Sequence, residues 1–385
     1  MSSLDPGLGG YPLSVSDGRP SDRVLKLSVR LLLFFLEPLS IAYWATVTIR
    51  GHLYAKGSLK SYRPPCKAIC VGNLTTGGSG KTPAVILVCQ LLLEMGKKPA
   101  VISRGYGRSS RAVEVLGPSD SPAPRSIDVL RRFGDEVLLI NSRLPEVPIV
   151  VSGDRAGAAR AAAQRFSPDV LVMDDGFGHL RLQRDLNILM FDARHPFGNR
   201  RLLPCGTLRE PVSAIERAGI AILSRSDRCD PDSLTALEAE LHKHNERIVV
   251  FRSAHRPKDL ERLSDGCRLE LPYISGKRVL AFCGIARPHS FFSSLSELGA
   301  HVTPLPYPDH HTYSPRELEA LLRQLDSGSH DLLVTTEKDV PRLVHIPPEA
   351  AEKIFLLRIE LTLSDAEGVA SAREMLRDEI AGRIG

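Results

Sequence analysis

The chain has 385 residues, of which 43% are hydrophobic and 25% are charged, as in an ordinary globular protein. This composition excludes a wholly disordered chain, a collagen-like repeat and a transporter with many membrane spans. The formal net charge of +5 suits a phosphorylated substrate or an anionic membrane surface, but it is too small to indicate nucleic-acid binding. At about 100–200 residues per domain, the length predicts two or three domains.

Residues 1–22 are rich in Ser, Gly, Pro and Asp, which predicts a disordered lead-in. An apolar stretch follows at residues 31–49, with basic residues on both sides. Glu37 and Pro38 fall in its middle, where they make a membrane span costly. We therefore expect residues 23–65 to form an anchor that lies in the membrane interface. The alternative is a helix buried against the protein's own core, which periodicity alone does not distinguish from an anchor.

Beyond residue 65, short apolar strands alternate with helices. The predicted strands are 67–72, 99–103, 147–152, 169–174, 186–191, 219–224, 278–283, 331–335 and 353–357. The predicted helices are 81–95, 154–166, 290–298, 315–325 and one at the C-terminus. Continuous apolar strands of this kind are typical of a parallel sheet with helices on both faces.

The predicted fold class is therefore α/β. We expect a P-loop NTPase-like core with a mostly parallel sheet over residues 66–254, followed by a polar linker over residues 255–275. A second, smaller α/β lobe would occupy residues 276–385, and the N-terminal membrane-interface helix would precede the core. The seven cysteines are an odd number without a Cys-x-x-Cys pair, so we expect reduced structural thiols in a cytosolic chain.

The strongest local signal is residues 71–83 (VGNLTTGGSGKTP), between a predicted strand and a predicted helix. The glycines let successive backbone N–H groups face one anion, and the helix N-terminus adds partial positive charge. Lys81 would reach the β- and γ-phosphates of ATP, and the Thr82 hydroxyl would ligate Mg²⁺. The usual pattern has glycine where this chain has Thr75. The predicted nucleotide-binding residues are Thr75, Thr76, Gly77, Gly78, Ser79, Gly80, Lys81 and Thr82.

A second acidic signal lies at the end of the predicted strand 169–174. Asp174 and Asp175 follow apolar residues, so their carboxylates would stand at the edge of the sheet that also carries the phosphate loop. Such an acid holds Mg²⁺ directly or through water. An aspartate pair at a strand end is weak on its own, because aspartate is also common in turns.

Six further blocks carry glycine and polar residues at predicted strand ends, loops or helix starts. They are 103–107 (SRGYG), 134–136 (GDE), 174–179 (DDGFGH), 198–211 (GNRRLLPCGTLREP), 307–313 (YPDHHTY) and 335–339 (TTEKD). Together with the phosphate loop they resemble the tetraacyldisaccharide 4'-kinase family, the lipid A 4'-kinases, in the order of that family's motifs. The same family carries the GNL-xx-GGSGKT form of the loop, which accommodates Thr75.

The resemblance implies transfer of the ATP γ-phosphate, with Mg²⁺, to the 4'-hydroxyl of a lipid disaccharide 1-phosphate. It implies a peripheral protein on the cytoplasmic face of the bacterial inner membrane, and we expect this protein to be a monomer. The resemblance also implies that Asp135 is the catalytic base, with His310 as its partner and Lys81 on the phosphates. Thr82, Asp175 and Glu210 would serve Mg²⁺. The substrate-binding or supporting residues implied in the same way are Arg104, Tyr106, Asp174, His179 and Arg209.

A departure from the family pattern at position 178 and several alternatives bear on this interpretation. The family usually has glutamine where this chain has Gly178, which removes a side-chain amide near the phosphates. Taken alone, Asp135 is a candidate helix N-cap and His310 an ordinary loop histidine. The rival functions are a membrane-recruited ATPase switch, a kinase for a soluble metabolite and a non-enzymatic scaffold. Such switch ATPases usually carry a second, early lysine in the loop, where this chain has Thr75 and Thr76.

Overall fold

The computed structural model describes residues 20–120, 126–344, 346–364 and 369–385. Almost all of the predicted lead-in at residues 1–22 lies outside the described residues. The strands in the described part are β1 (Lys67–Gly72), β2 (Pro99–Ser103), β3 (Glu114–Leu116), β4 (Ile149–Val151), β5 (Val170–Asp174), β6 (Leu186–Asp192), β7 (Ile220–Ser224), β8 (Val249–Arg262), β9 (Arg268–Leu269), β10 (Arg278–Cys283), β11 (His301–Pro306), β12 (Leu332–Thr336) and β13 (Ile354–Ser364). The α-helices there are α1 (Pro20–Ala55), α2 (Lys81–Glu94), α3 (Ile127–Phe133), α4 (Asp135–Arg143), α5 (Arg155–Phe166), α6 (Pro231–His244), α7 (Pro288–Glu297), α8 (Pro315–Gln324), α9 (Pro348–Ala351) and α10 (Val369–Ile384).

The described strands form one sheet with the order β11-β10-β12-β13-β8-β7-β6-β1-β5-β2-β4-β3, and β9 pairs with β8. Most neighbours are parallel, and the antiparallel pairs are β13 with β8, β8 with β9, and β3 with β4. The predicted mostly parallel α/β sheet is confirmed. β1, which precedes the phosphate loop, lies between β5 and β6 in the N-terminal half.

Both faces of the sheet are buried, as its continuous apolar strands predict. In β1, Ile69 and Val71 face a core that includes apolar residues of α2, α4 and α10. Ala68 and Cys70 face the opposite core, which includes residues of α5 and α6. The C-terminal half repeats this arrangement, because alternate residues of β10 enter two further cores, one with α7 and one with α8.

The predicted linker at residues 255–275 contains regular structure. β8 continues through this segment to Arg262 and pairs with β13 along most of its length. Pro257 is tolerated because the register shifts opposite it, between Arg358 and Ile359, as at a β-bulge. The two halves of the sheet are therefore joined by an antiparallel ribbon. The domain boundaries themselves stay predictions.

α1 docks one side on the loop at residues 198–211 and exposes apolar side chains elsewhere. Ser40 Oγ donates to the Leu202 carbonyl at 3.0 Å, and Val47 is buried. The Tyr43 hydroxyl donates to the carbonyl of Arg209 at 2.9 Å. None of the helices that the structure describes is long and apolar enough to cross a membrane. Four apolar residues of α1 each expose between 50% and 59% of their surface to solvent: Leu39, Ile41, Trp44 and Ile49.

Candidate active site

The phosphate loop joins β1 to α2 and turns at two glycines. Gly77 and Gly80 have φ angles of 110° and 86°, in the left-handed region that favours glycine. A Cβ at position 80 would also lie 3.0 Å from two atoms of the His255 ring. Gly80 is the N-cap of α2 and no side chain caps that end, so the first N–H groups of the helix face the loop.

Local pairing explains why threonine fits at position 75. Thr75 forms an antiparallel bridge with Leu208, so its backbone is extended, a conformation that β-branched residues favour. The next residue, Thr76, donates its N–H to the carbonyl of Thr207 at 2.7 Å. The loop at residues 198–211 therefore holds the phosphate loop from outside while it also contacts α1.

A polar cluster surrounds Lys81 at the end of the phosphate loop. Lys81 Nζ lies 3.3 Å from Asn73 Oδ1 and 3.9 Å from Asp175 Oδ1. The Arg209 guanidinium donates to the two Asp175 oxygens at 3.1 and 2.8 Å, and also to Asn73. Two cations thus face one carboxylate, and the surplus positive charge suits phosphate groups. Sequence reasoning did not single out Asn73, although it lies within the quoted block 71–83.

The two aspartates at the end of β5 have different protonation tendencies. Asp174 is buried, accepts a hydrogen bond from Ser103 Oγ at 3.0 Å, and has its pKa raised to about 7 chiefly by that burial. Burial also acts on Asp175, but Arg209 and Lys81 outweigh it and hold the pKa of Asp175 below its usual value. Asp175 therefore loses its proton at a lower pH than Asp174 does.

Oxygen atoms beside the loop fit Mg²⁺. Thr82 is buried, and the Ser79 hydroxyl is buried without a hydrogen-bond partner. Together with the ionised Asp175 they offer the hard oxygen ligands that this cation prefers. No group of three or more His, Cys, Asp or Glu that could hold a metal occurs among the described residues. Mg²⁺ usually keeps several waters and binds through few protein ligands together with substrate phosphates.

Glu210, the other acid expected to serve Mg²⁺, is held by two arginines. Its Oε1 lies 3.3 Å from Arg50 Nη2 on α1, and its Oε2 lies 2.8 Å from Arg217 Nη2. Position 178 borders this buried carboxylate, because a Cβ there would lie 2.8 Å from Glu210 Oε1. With Glu210 in this position, a glutamine at position 178 would contact its carboxylate too closely, so Glu210 would have to move. Gly178 avoids this contact.

The predicted base lies at the start of α4 in contact with the C-terminal half. The Asp135 side chain is only 6% exposed, and its Oδ2 lies 2.9 Å from Nδ1 of His310. Arg342 donates to the same oxygen through Nε at 2.9 Å and through Nη2. Oδ1 accepts the backbone N–H of Glu136 at 2.9 Å. The structure thus brings Asp135 and His310 together although 175 positions separate them in the sequence.

These contacts keep Asp135 ionised. Burial alone would raise the pKa of Asp135, but the hydrogen bond from His310 and the charge and hydrogen bonds of Arg342 hold it well below its usual range. The hydrogen bond to Asp135 in turn raises the pKa of His310. The pair therefore favours an anionic carboxylate beside a cationic imidazole, and an ionised carboxylate is able to accept a proton.

One glycine carbonyl organises the C-terminal side of this cluster. His310 adopts a φ of 61° while its N–H donates to the Gly284 carbonyl at 3.0 Å. The same carbonyl accepts Nη1 of Arg342 at 2.6 Å, and the Gly284 N–H donates to Asp339 Oδ1 at 2.9 Å. The exposed ring of Tyr106 has its centroid 5.3 Å from that of His310. Tyr106, an expected substrate residue, therefore lies beside the base cluster.

Sequence reasoning missed Arg342, because a lone arginine in a polar segment is usually a solvated surface residue. The available signal was its spacing of three residues from Asp339 in the 335–339 block, which places both on one turn. Two other expected supporting residues are less buried than Arg342. Arg104 is exposed just after β2, and His179 is partly buried after β5, where burial lowers its pKa.

A second ion cluster joins the two halves beside the phosphate loop. Asp192, at the end of β6, pairs with Arg225 at 3.1 Å and with Arg287, which precedes α7 in the C-terminal half. Arg225 also donates to the Gly78 carbonyl at 3.2 Å. These residues lie far apart in the sequence, at or just after the ends of two different strands and before a helix, so nothing in the local pattern predicted the cluster.

Comparisons with known proteins show which family the chain is similar to. Residues 32–379 match the family model described as tetraacyldisaccharide-1-P 4'-kinase. A tetraacyldisaccharide 4'-kinase from Syntrophus aciditrophicus is 37% identical over 83% of this chain and 87% of its own length. One from Pelobacter propionicus is 38% identical over 89% of this chain and 92% of its own length. A crystal structure of LpxK from Aquifex aeolicus in complex with ATP superposes with a TM-score of 0.71 at 30% identity, covering 92% of this chain and all of that one.

Proposed function

The chain belongs to the tetraacyldisaccharide-1-P 4'-kinase family, and from this premise we propose that Asp135 accepts the proton of the sugar hydroxyl that attacks ATP. The protein is a kinase that uses ATP to phosphorylate a lipid A precursor at its 4' position. The observation that supports the choice of base is the buried, ionised Asp135 carboxylate in contact with His310. A sugar hydroxyl is a weak nucleophile, so a carboxylate that takes its proton assists bond formation to phosphorus.

The remaining groups have complementary roles. Lys81 and the N–H groups of the phosphate loop bind the phosphates, and Arg209 adds positive charge beside them. Thr82 and Asp175 hold Mg²⁺, which offsets the charge of the phosphate groups. His310 orients Asp135 and carries positive charge close to it. Support for this division comes from two clusters with distinct partners, one centred on Asp175 and one on Asp135.

We further propose that the protein works at a membrane surface, on the cytoplasmic face of the inner membrane. The substrate carries four acyl chains, so it resides in a bilayer. The apolar side chains that α1 exposes, among them Ile41, Trp44 and Ile49, provide area for insertion into the interface. The helix contacts the loop that holds the phosphate loop. Membrane binding would therefore bring the substrate close to the site.

The assay is transfer of labelled phosphate from ATP to a tetraacyldisaccharide 1-phosphate in detergent micelles. The parent protein should form a product phosphorylated at the 4' position, as located by NMR. Lys81→Ala should lower the rate by about 100-fold or more, because it removes a preorganised cation from the phosphates. The matched control is Lys97→Ala, an exposed lysine beyond α2, which should retain the parent rate.

Two outcomes would contradict this proposal. A folded parent that binds ATP but phosphorylates only a soluble sugar would exclude the lipid substrate. ATP hydrolysis without transfer to any acceptor would instead favour an ATPase switch.

A further inference from the structure

The two oxygens of Asp135 have unequal surroundings. Oδ2 is approached by three N–H donors: Nε and Nη2 of Arg342, and Nδ1 of His310. Among the residues that the structure describes, Oδ1 accepts one hydrogen bond, from the backbone N–H of Glu136. An ionised carboxylate has about four lone-pair sites, two on each oxygen. Oδ2 is therefore saturated, and an unused lone pair remains on Oδ1.

We infer that Arg342 is a positioning residue for the reaction, which saturates Oδ2 together with His310 and leaves Oδ1 as the atom that takes the hydroxyl proton. The inference rests on the proposed function and deepens it. In the step, the hydroxyl proton moves to Asp135 Oδ1 while the hydroxyl oxygen forms a bond to the γ-phosphorus. The bond from that phosphorus to the β–γ bridging oxygen breaks, and its electron pair leaves on ADP.

Contacts within the C-terminal half hold the Arg342 side chain in place. Its side chain is 3% exposed, its Nη1 donates to the Gly284 carbonyl at 2.6 Å, and it lies 3.5 Å from Asp339 Oδ1. The planar guanidinium can therefore present Nε and Nη2 side by side to one oxygen. Because Gly284 also accepts the His310 N–H, both partners of Asp135 are fixed to the same point of the C-terminal half.

The charges around Asp135 agree with this assignment. Arg342 and His310 are the groups that lower the pKa of Asp135 against the effect of burial. Further charges lie one contact away. Lys338 pairs with Glu136 at 3.7 Å, Asp309 lies 3.8 Å from His310, and Asp339 neighbours Arg342. Removal of the Arg342 charge would therefore leave His310 as the remaining side-chain partner of this buried carboxylate among the described residues.

The test is the pH dependence of kcat for phosphate transfer in parent, Arg342→Gln and Arg342→Lys proteins. Loss of the adjacent positive charge should raise the pKa of Asp135 in Arg342→Gln. The acidic limb of its pH–kcat profile should therefore move to higher pH by about 1–3 units. Its kcat at pH 8 should fall by about 10–100-fold, with the KM for ATP changed less than about threefold. A folded Arg342→Gln protein with the parent limb and kcat would overturn the inference.

The matched control is Arg358→Gln. Arg358 is a buried arginine of the same half that pairs with Asp259 and Glu261, away from Asp135. Its replacement should lower the melting temperature without moving the acidic limb. A limb that moves equally in Arg358→Gln would show that loss of any buried arginine has this effect, and would contradict a specific role for Arg342.

Two further measurements apply if Arg342→Gln does not fold or if the parent protein is inactive. If Arg342→Gln does not fold, Arg342→Lys decides: it keeps the charge but loses the fork, so kcat should fall about tenfold while the limb stays near that of the parent. A parent kcat in that variant would contradict the inference. If the folded parent transfers no phosphate, the proposed function fails, and the ¹³C NMR titration of the Asp135 carboxyl in parent and Arg342→Gln proteins still tests the contact.

Discussion

At the scale of single residues, environment assigns different roles to similar carboxyl groups. Asp174 and Asp175 are neighbours in the sequence, yet burial raises the pKa of Asp174 to about 7 while Arg209 and Lys81 help to keep Asp175 ionised. Sequence could nominate both because they end an apolar strand. It could not rank them, because the rank depends on partners that only the folded chain brings close.

The setting of Asp135, the proposed base, likewise depends on partners that only the folded chain brings close. The sequence nominated Asp135 and His310 through a family resemblance, and their contact was beyond any argument from spacing. The only local signal for Arg342 was its spacing of three residues from Asp339, and its contact with Asp135 had none, because Asp135 lies in the other half of the molecule. Buried polar contacts of this kind are decided by tertiary packing, which residue patterns do not encode.

His310 gives a pH prediction with a defined sign. Its pKa is raised in the folded state, so it stabilises the protein below its ordinary pKa of about 6.5, and this contribution is lost as the pH rises through the folded value. His310→Asn should therefore lower the melting temperature most near about pH 5.5 and least near about pH 9. Thermal unfolding across this range measures the trend.

For His179 the expected pH dependence of stability has the opposite sign. Burial lowers the pKa of His179, so protonation of that residue costs stability at low pH. His179→Asn should therefore be relatively more stable than the parent near about pH 5.5. Parallel pH trends for the two variants would contradict the assignment of opposite pKa shifts.

At the scale of elements, the sequence predicted the buried parallel strands well, and β1, β2 and β10 have the predicted bounds. It missed β8 because this strand is polar, contains Pro257 and pairs antiparallel in a partly exposed ribbon. It missed β11 because that strand is an exposed edge with two prolines. Both failures follow from a search for continuous apolar runs, which suits only strands covered on two faces.

α1 carries the prediction at this scale. The double variant Ile41→Glu and Ile49→Glu places charges on exposed positions of the helix and should weaken binding to anionic vesicles by at least about tenfold. Co-sedimentation with vesicles measures the effect. The control is Val113→Glu, which charges an exposed apolar residue outside α1 and should bind as the parent does. Equal binding by all three proteins would exclude α1 as the membrane contact.

At the scale of the whole molecule, the cluster around the proposed base Asp135 is complete only when the two halves meet. Asp135 comes from the N-terminal half, and both His310 and Arg342 come from the C-terminal half. α4 is held at its other end as well, because Arg143 pairs with Glu337 at 2.6 Å and donates to the Ile359 carbonyl at 2.6 Å. The ribbon of β8 and β13 is thus tied directly to α4, the helix that carries the proposed base.

This connection predicts a large effect on stability. Arg143→Ala should lower the free energy of unfolding by about 3 kcal/mol, because it removes the cation that is paired directly with the largely buried Glu337 carboxylate. Urea denaturation measures the change. The control is Lys258→Ala in the exposed pair with Glu360, which should cost less than about 1 kcal/mol. Equal costs for the two variants would show that the interface between the halves does not depend on Arg143.

The most direct test of the whole account is the rate of phosphate transfer by Asp135→Asn. Asparagine keeps the shape of the side chain but cannot take the hydroxyl proton, so kcat should fall by about 10²–10⁴-fold while ATP binding is retained. Asp128→Asn, at the start of the preceding helix, should keep the parent rate. A folded Asp135→Asn protein that transfers phosphate at the parent rate would contradict the assignment of the base.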